Sequence, residues 1–305
     1  MGAAAGRLRL GTRASPLARA QAELVRAALA GRHPGLEVEL VFVRTTGDRL
    51  RGPLAAAGGK GLFVKEIEEA LTDGQVDAGV HSMKDLPARL APGLVIGAVP
   101  ERVDPRDVLV GGAGGLAGLP RGARVGTASP RRRAQLLARR PDLDVVLLRG
   151  NVDTRLRKWR TGEVDAVVLA AAGLARLGIA EPAAWPLPVE EFLPAVGQGA
   201  LALECRADDG SARAVLATLD DPVAATATAA ERAFLVAVGG DCNTALAAHA
   251  TVADGRVTLR ALVADPDGRR RLEDQGTAAV GEAATLGRTL AERLLAAGAA
   301  ALIGR

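Results

Sequence analysis

Hydrophobic positions along the first 200 residues follow two spacings, one typical of strands and one typical of helices. Residues 8–12 (LRLGT) form a short apolar run, and residues 37–43 (EVELVFV) alternate apolar and polar side chains. Between them, Ser15 and Pro16 are the residue types preferred at the N-cap and the first position of a helix, which we predict to reach about residue 30. A helix is also predicted at VKEIEEALTDG (64–74), and a strand at DAGVH (77–81), which runs into SMKDLP. Alternating strands and helices favour an α/β fold.

The second hundred residues repeat this pattern in the same order. The segment ARVGTASPRRRAQLLARR (123–140) matches LRLGTRASPLARAQAELV (8–25), with one residue fewer before Ser-Pro. Further along, GEVDAVVLAAAGL (162–174) matches GQVDAGVHSMKDL (74–86). A chance match within Ala- and Arg-rich sequence is the alternative to duplication. Two duplicated α/β lobes predict a ligand between them, at the carboxyl ends of their strands.

Two segments are predicted to carry the chain between the lobes, PERVDPRD (100–107) and LPAVGQGA (193–200). The second returns the chain to the first lobe, so residues 200–207 are expected to complete that lobe's sheet. The character of the sequence changes after residue 222: a long helix to about 238, two strand-like stretches, a DPDG turn and a helix from about 282. We therefore predict lobe 1 at 1–99 with 200–219, lobe 2 at 105–193, and a small α+β domain at 222–305.

Composition narrows the classes of protein without choosing one. Apolar residues make up 49% of the 305-residue chain, enough for a core, while aromatic residues make up 2%. A net charge of +4, carried mostly by arginine, permits anionic partners. Nucleic acid is disfavoured, because aromatic side chains that stack on bases are nearly absent and no nucleic-acid-binding motif occurs.

Targeting and metal signals are missing from the sequence. The two cysteines do not form a disulfide framework, and three scattered histidines do not predict a metal site. The N-terminal residues lack the apolar stretch of a secretory signal, and no apolar run is long enough to span a bilayer. We expect a soluble cytoplasmic protein.

Polar and cationic side chains concentrate at the turns from strand to helix. A helix N-terminus offers free N–H groups and a positive dipole end, which together favour anions. The residues at these turns and in the Gly-rich loop are Arg13, Ser15, Lys60, Thr127, Ser129, Arg131, Arg132, Arg149, Arg155 and Arg176. Solvated surface arginines are the alternative for each one; as a set, they predict a cleft for a ligand with several carboxylates.

Two further residues are candidates for chemistry. Asp85 follows a strand end beside Lys84, and a carboxylate among cations can bind N–H donors and stabilise positive charge during a reaction. A turn aspartate that caps backbone groups is the alternative. Cys242 lies in a Gly-containing loop, VGGDCNT, where reagents can reach it, whereas Cys205 lies in an apolar run typical of core.

These segments together resemble the hydroxymethylbilane synthase (porphobilinogen deaminase) family over essentially the whole chain. The matching motifs include GTRASPLA, GGKGLFVKE, VHSMKDLP, GTASPRRRAQ, LRGNVDTRL and LPAVGQGAL. The combination of HSMKD, LRGNV-TR and VGQGA is highly specific. The chain departs from the family pattern around Cys242, where Asp241 directly precedes the thiol and Asn243-Thr-Ala-Leu-Ala follows it.

The resemblance implies two lobes of the type II periplasmic-binding-protein kind plus a third domain, and a monomeric transferase of porphyrin and heme biosynthesis. It implies a dipyrromethane cofactor bound through a thioether to Cys242, onto which four porphobilinogen units are condensed with loss of ammonia before water releases the linear tetrapyrrole. Asp85 matches the catalytic aspartate. The residues implied to hold the cofactor are Ser82, Lys84, Thr127, Ser129, Arg131 and Arg132. Those implied to hold substrate or the growing chain are Arg13, Ser15, Gln21, Arg149, Arg155 and Arg176, to which the loop position of Lys60 adds a further candidate. A two-lobed binding protein for an anionic metabolite, without catalysis, is the alternative function.

Overall fold

The computed structural model describes residues 6–43, 64–240 and 244–303. The chain divides into two compact units, unit 1 with residues 1–102 and 200–225, and unit 2 with residues 103–199 and 226–305. The chain therefore passes between the units inside both predicted crossing segments, and once more within a long helix.

The elements follow one another in this order. The first part contains β1 (Arg7–Arg13), α1 (Pro16–Arg32), β2 (Glu37–Val43), α2 (Lys65–Thr72), β3 (Ala78–Ser82), the 3-10 turn Met83–Asp85 and β4 (Leu94–Ala98). The middle part contains β5 (Asp107–Val110), the 3-10 turn Gly115–Gly118, β6 (Arg124–Thr127), α3 (Pro130–Arg139), β7 (Asp144–Leu147), α4 (Val152–Arg160), β8 (Ala166–Ala170), α5 (Ala171–Arg176) and β9 (Ala184–Pro186). The last part contains β10 (Leu201–Arg206), α6 (Gly210–Ala217), α7 (Pro222–Val238), β11 (Leu246–Ala253), β12 (Arg256–Ala264), β13 (Arg271–Ala279), the 3-10 turn Val280–Glu282, α8 (Ala283–Ala296) and α9 (Ala299–Leu302).

Unit 1 is built on a five-stranded sheet in the order β2-β1-β3-β10-β4. Strands β2, β1 and β3 are parallel, and β10 runs antiparallel to both of its neighbours. Leu10, Val25, Leu29 and Leu203 pack on one face, where α1 and α6 supply the apolar residues. The expectation that residues 200–207 complete this sheet is confirmed.

Unit 2 contains a second five-stranded sheet in the order β7-β6-β8-β5-β9. Strands β7, β6 and β8 are parallel, and β5 is antiparallel to β8 and β9. Each sheet therefore has three parallel strands, then an antiparallel strand that follows a crossing segment, then an edge strand. The shared order confirms the duplication that the two sequence repeats predict.

A three-stranded antiparallel sheet, β11-β12-β13, completes unit 2. Helix α8 packs on it, since a Cβ on Gly276 would lie 2.9 Å from Leu286 and 3.0 Å from Leu290. A mixed core of Ala134, Leu193, Ala247 and Leu262 joins this sheet to the second lobe. The α/β fold class, with two duplicated sheet–helix lobes and a small C-terminal α+β part, is confirmed.

Strand β13 did not emerge from the sequence, which predicted only two strand-like stretches before the last helix. Its residues RLEDQGTAA alternate between exposed and half-buried positions and are largely polar, as suits a strand at the sheet's edge.

Among the described residues, no helix has both the length and the apolar character that crossing a membrane requires.

Candidate functional site

Unit 1 has an open pocket at the carboxyl ends of β1 and β3, with about 370 Å³ of empty space that includes open solvent at its mouth. Parallel strands end at one edge of a sheet, so the turns that follow them come together there. Five of the predicted site residues line this pocket: Arg13, Ser15, Gln21, Ser82 and Asp85. They are separated by up to 72 positions in sequence, and the sheet brings them to one place.

Helix α1 supplies one wall of the pocket. Ser15 is its N-cap, with the hydroxyl accepting from the backbone N–H of Ala18, and Pro16 occupies the first turn, as predicted. Gln21 is 3% exposed and donates through Nε2 to the hydroxyl of Ser82 at 2.7 Å. This bond joins α1 to the end of β3 and fixes two polar side chains at the pocket wall.

Asp85 is exposed at the end of the 3-10 turn that follows β3. Met83 holds the turn in place, because its side chain is buried and its backbone N–H donates to the carbonyl of Ala200 at 3.1 Å. The Asp85 carboxylate therefore stands on a rigid element at the pocket mouth, where solutes reach it. Lys84 is half-buried in the same turn.

A buried pair of titratable groups lies just behind this turn. Nε2 of His81 lies 3.0 Å from a carboxylate oxygen of Glu204, and both side chains are almost fully buried. Glu204 pairs across the ladder with Gly79, where an added Cβ would come within 2.8 Å of the His81 ring. The position of the His81 ring therefore requires a glycine at residue 79, and the sequence alone did not reveal this requirement.

Unit 2 repeats the turn with a different set of side chains. Ser129 caps α3, its hydroxyl accepting from the backbone N–H of Arg132, and Pro130 follows it. Thr127, which is 4% exposed, accepts from the backbone N–H of Ser129 at 3.1 Å. These predicted residues thus order the helix N-terminus.

Arg131 and Arg132 are almost completely buried, at 4% and 5% exposed, and both bind Asp107. Arg131 reaches one carboxylate oxygen at 2.7 Å, and Arg132 reaches the other through Nε at 3.1 Å and Nη2 at 2.7 Å. Gln198 donates to the same carboxylate at 3.0 Å. Burial alone would raise the pKa of Asp107, but the two guanidinium groups outweigh burial and hold that pKa well below its usual range.

The remaining predicted arginines of unit 2 lie at other turns. Arg149 is half-buried before α4, and Arg155 on that helix donates to the carbonyl of Gly150 at 2.8 Å. Arg176 ends α5 and donates to the carbonyl of Gly199 at 2.7 Å. Burial lowers the pKa of Arg176 to about 10, which leaves it protonated at neutral pH. A carboxylate ligand would restore part of the solvation that this cation has lost.

Two predicted residues, Lys60 and Cys242, lie outside the described residues. Sequence reasoning also missed residues that hold the site in place: Asp107, Gln198, Glu204 and Glu231. Each is at 0% exposure, and burial of a polar side chain leaves no periodic signal in a single sequence. The only available signal was the unusual presence of a charge within or next to an apolar run.

Fold and site define a two-lobed protein with hydroxyl and cationic side chains at its strand-to-helix turns and an exposed carboxylate in one lobe. Two family models match the chain: "Porphobilinogen deaminase, dipyromethane cofactor binding domain" over residues 8–214, and "Porphobilinogen deaminase, C-terminal domain" over residues 225–296. The chain belongs to the porphobilinogen deaminase (hydroxymethylbilane synthase) family of transferases, and it contains the family's dipyrromethane cofactor-binding domain.

Curated relatives agree with this assignment over nearly the full length. The chain is 55% identical to porphobilinogen deaminase of Syntrophotalea carbinolica, with 96% of this chain and 93% of the relative covered. It is 49% identical to the Geobacter sulfurreducens enzyme, with 97% and 93% covered. These matches decide for an enzyme and against a binding protein without catalysis.

Solved structures of binding proteins for small solutes also match, at lower similarity. An ancestral cationic amino acid solute-binding protein is 17% identical with a TM-score of 0.45, covering 70% of this chain and 88% of that one. The aliphatic sulphonate binding protein SsuA from Escherichia coli is 17% identical with a TM-score of 0.38, covering 75% and 70%.

Proposed function

We propose that this chain condenses four porphobilinogen units on a dipyrromethane attached to Cys242 and then releases the linear tetrapyrrole by hydrolysis. The observation that carries the proposal is the unit 1 pocket, where an accessible carboxylate, Asp85, lies among the cation and hydroxyl groups of Arg13, Ser15 and Ser82. Each condensation replaces the C–N bond of the substrate's aminomethyl group by a C–C bond. The displaced ring proton leaves with the ammonia as ammonium.

Asp85 is the catalytic residue of this proposal. Loss of ammonia leaves positive charge on the substrate's methylene and pyrrole. An adjacent carboxylate stabilises that charge and also accepts a hydrogen bond from the pyrrole N–H. The 3-10 turn holds Asp85 at the pocket mouth, so the carboxylate needs little reorganisation when the charge develops. When bound, the dipyrromethane supplies the ring carbon that attacks the substrate.

Lobe 2 fits a cofactor that carries several carboxylates. Among the described residues, Nε of Arg131 is buried and has no hydrogen-bond partner, which is unusual for a charged group. Two guanidinium groups against one carboxylate also leave net positive charge in the cluster. Both features suit the acetate and propionate that every pyrrole ring brings.

The residues proposed to hold the cofactor are Cys242 through its thioether, with Ser82, Lys84, Thr127, Ser129, Arg131 and Arg132. The residues proposed to hold substrate or the growing chain are Arg13, Ser15, Gln21, Lys60, Arg149, Arg155 and Arg176. The proposal retains the three-domain division given above and a cytoplasmic, monomeric enzyme, which sedimentation and cell fractionation would test.

Intact-mass measurement tests the attachment. The purified chain should be heavier than 31.1 kDa by a two-ring adduct, and brief exposure to porphobilinogen should add one-ring increments. Replacing Cys242 with Ser should abolish the adduct. The matched control is Cys205→Ser, which changes the other cysteine, a buried one in β10, and should retain the adduct. A fully active chain of unmodified mass would refute the attachment.

A further inference from the structure

The buried cluster of lobe 2 combines three charged side chains in a place where the fold does not demand charge. Asp107 is at 0% exposure and accepts from Arg131, Arg132 and Gln198. Removing one carboxylate and two guanidinium groups from water costs several kcal/mol per ion, and well-packed apolar residues are often as stable or more so. A buried cluster of this kind therefore calls for a reason other than stability.

The duplicated lobe 1 shows what the same turn looks like without these arginines. When the two Ser-Pro repeats are superposed on Ser15 and Ser129, Arg131 corresponds to Leu17 and Arg132 to Ala18. Both helices begin with Pro after a capping Ser, so the positions are equivalent in structure as well as in sequence. Ala18 is buried in its lobe, as Arg132 is in the other.

The strand that carries Asp107 has an equivalent too. Asp107 pairs across the ladder with Ala170, and Leu201 pairs with Ser82. Ala170 and Ser82 occupy the same position in the two G-x-V-D-A repeats, so Leu201 is the counterpart of Asp107. Leu201 is 5% exposed and packs in the core of lobe 1.

All three charges of lobe 2 thus stand where lobe 1 has apolar side chains. One lobe of this fold exists with Leu, Leu and Ala at these positions, so the lobe plan itself does not require the charges. Asp107, Arg131 and Arg132 all differ in character from their counterparts in lobe 1, which indicates that the three side chains act together.

The contacts show what Asp107 does to the two arginines. A guanidinium has five N–H donors in a fixed plane, so two bonds to a carboxylate fix its orientation. Arg131 donates once to Asp107 and once to the carbonyl of Leu193, and Arg132 donates twice to Asp107 and once to the carbonyl of Val168. The remaining N–H donors of the two guanidinium groups are therefore held in place before any ligand binds, and the cluster keeps a net positive charge.

We propose that Asp107 is a positioning residue for cofactor loading, which orients Arg131 and Arg132 to receive carboxylates of the dipyrromethane. This inference rests on the proposed function for its ligand, and it adds a residue that does not itself touch the cofactor. Asp107 is negatively charged, as are the carboxylates of the ligand, so it acts only through the two arginines.

Loading of apoprotein tests the inference. Chains made in cells that lack porphobilinogen are mixed with porphobilinogen, and the two-ring adduct is followed by intact mass over time and at several concentrations. Three variants are compared with the wild type. Asp107→Asn removes the charge, and Asp104→Asn removes a nearby carboxylate that binds the exposed Arg106. Asp107→Leu/Arg131→Leu/Arg132→Ala installs the lobe 1 residues.

Folding of unit 2 is checked in every variant by tryptophan fluorescence, because both tryptophans of the chain, Trp159 and Trp185, lie in that unit. We expect Asp107→Asn to load at least about 30-fold more slowly, since truncating one partner of a buried charge pair has effects of this size. The porphobilinogen concentration for half-maximal loading should rise. Asp104→Asn should load like the wild type. The triple variant should fold with a wild-type or higher denaturation midpoint and take up no adduct.

Two results would overturn the inference while leaving the proposed function intact. One is a folded Asp107→Asn variant that loads at the wild-type rate; the other is a triple variant that cannot fold, which would make the cluster a requirement of the lobe. If Asp107→Asn itself does not fold, Asp107→Glu is used instead, which keeps the charge but displaces the carboxylate from the two retained arginines: slower loading by the folded variant supports the inference, and loading at the wild-type rate refutes it. A wild-type chain that never gains the adduct would contradict the proposed function and this inference together.

Discussion

Glu231 on α7 offers a test of how the helix that leads towards Cys242 is held. The side chain is at 0% exposure, and its two carboxylate oxygens accept from different backbone N–H groups, Gly197 at 2.6 Å and Ala250 at 2.8 Å. One residue therefore joins α7 to the 193–200 crossing segment and to β11, all within unit 2. Glu231→Gln keeps the shape of the side chain but replaces one carboxylate oxygen with an NH₂ group. That NH₂ group must then face one of the two backbone N–H donors.

The expected loss follows from that geometry. A hydrogen bond to a charged group contributes about 1.5–3 kcal/mol, and the variant loses one and weakens the other, so unit 2 should lose about 2–3 kcal/mol. In urea this corresponds to a midpoint lower by on the order of 1 M, read by the fluorescence of the two tryptophans. The control is Glu292→Gln on the exposed face of α8, which should stay within about 0.5 kcal/mol of the wild type. Equal midpoints for the two variants would refute this account of Glu231.

Three further outcomes are expected. Gln21→Leu removes the donor to Ser82 and should raise the KM for porphobilinogen by about five- to tenfold, the equivalent of one hydrogen bond, while the denaturation midpoint changes little; an unchanged KM would remove Gln21 from the binding site. Arg149→Leu or Arg155→Leu should stall chain growth at partly elongated adducts that intact mass resolves, and normal product release would show that those side chains serve elsewhere. Because the folded-state pKa of Asp107 is depressed, its contribution to stability is present above its unfolded pKa and is lost as the pH falls below it; the stability gap between the wild type and Asp107→Asn, read by tryptophan fluorescence, should be constant above about pH 5 and shrink below about pH 4.

The sequence was most informative where local rules decide structure. Ser-Pro at the two turns predicted both helix starts, and the repeated motifs predicted two sheets of one design. These signals depend on the backbone and on the alternation of apolar residues, which are written locally in the chain. The sequence also assigned β10 to the sheet of the first lobe, whereas the order of the strands within each sheet came from the structure.

What the sequence did not reveal depends on burial and on distant partners. Asp107 and Glu231 look like surface acids in the chain, and only the folded sheets bury them against arginines and backbone N–H groups. Strand β13 escaped because its polar residues resemble a solvated loop. Duplication also conceals divergence: Asp85 of lobe 1 corresponds to Gly173 of lobe 2, while the buried arginine pair of lobe 2 corresponds to Leu17 and Ala18 of lobe 1. Lobe 1 therefore has the exposed carboxylate, and lobe 2 has the two buried guanidinium groups.

The central claim is that Asp85 stabilises the cation formed when ammonia leaves, and single-turnover ammonia release tests it most directly. Loaded enzyme is mixed with porphobilinogen, and ammonia is measured over time for the wild type, Asp85→Asn and Asp73→Asn, an exposed aspartate of the same lobe. Electrostatic groups of this kind contribute about 10²–10³ in rate, so Asp85→Asn should be slower by that factor, with its fold and its adduct intact. Asp73→Asn should match the wild type. Ammonia release at the wild-type rate from Asp85→Asn would contradict the account.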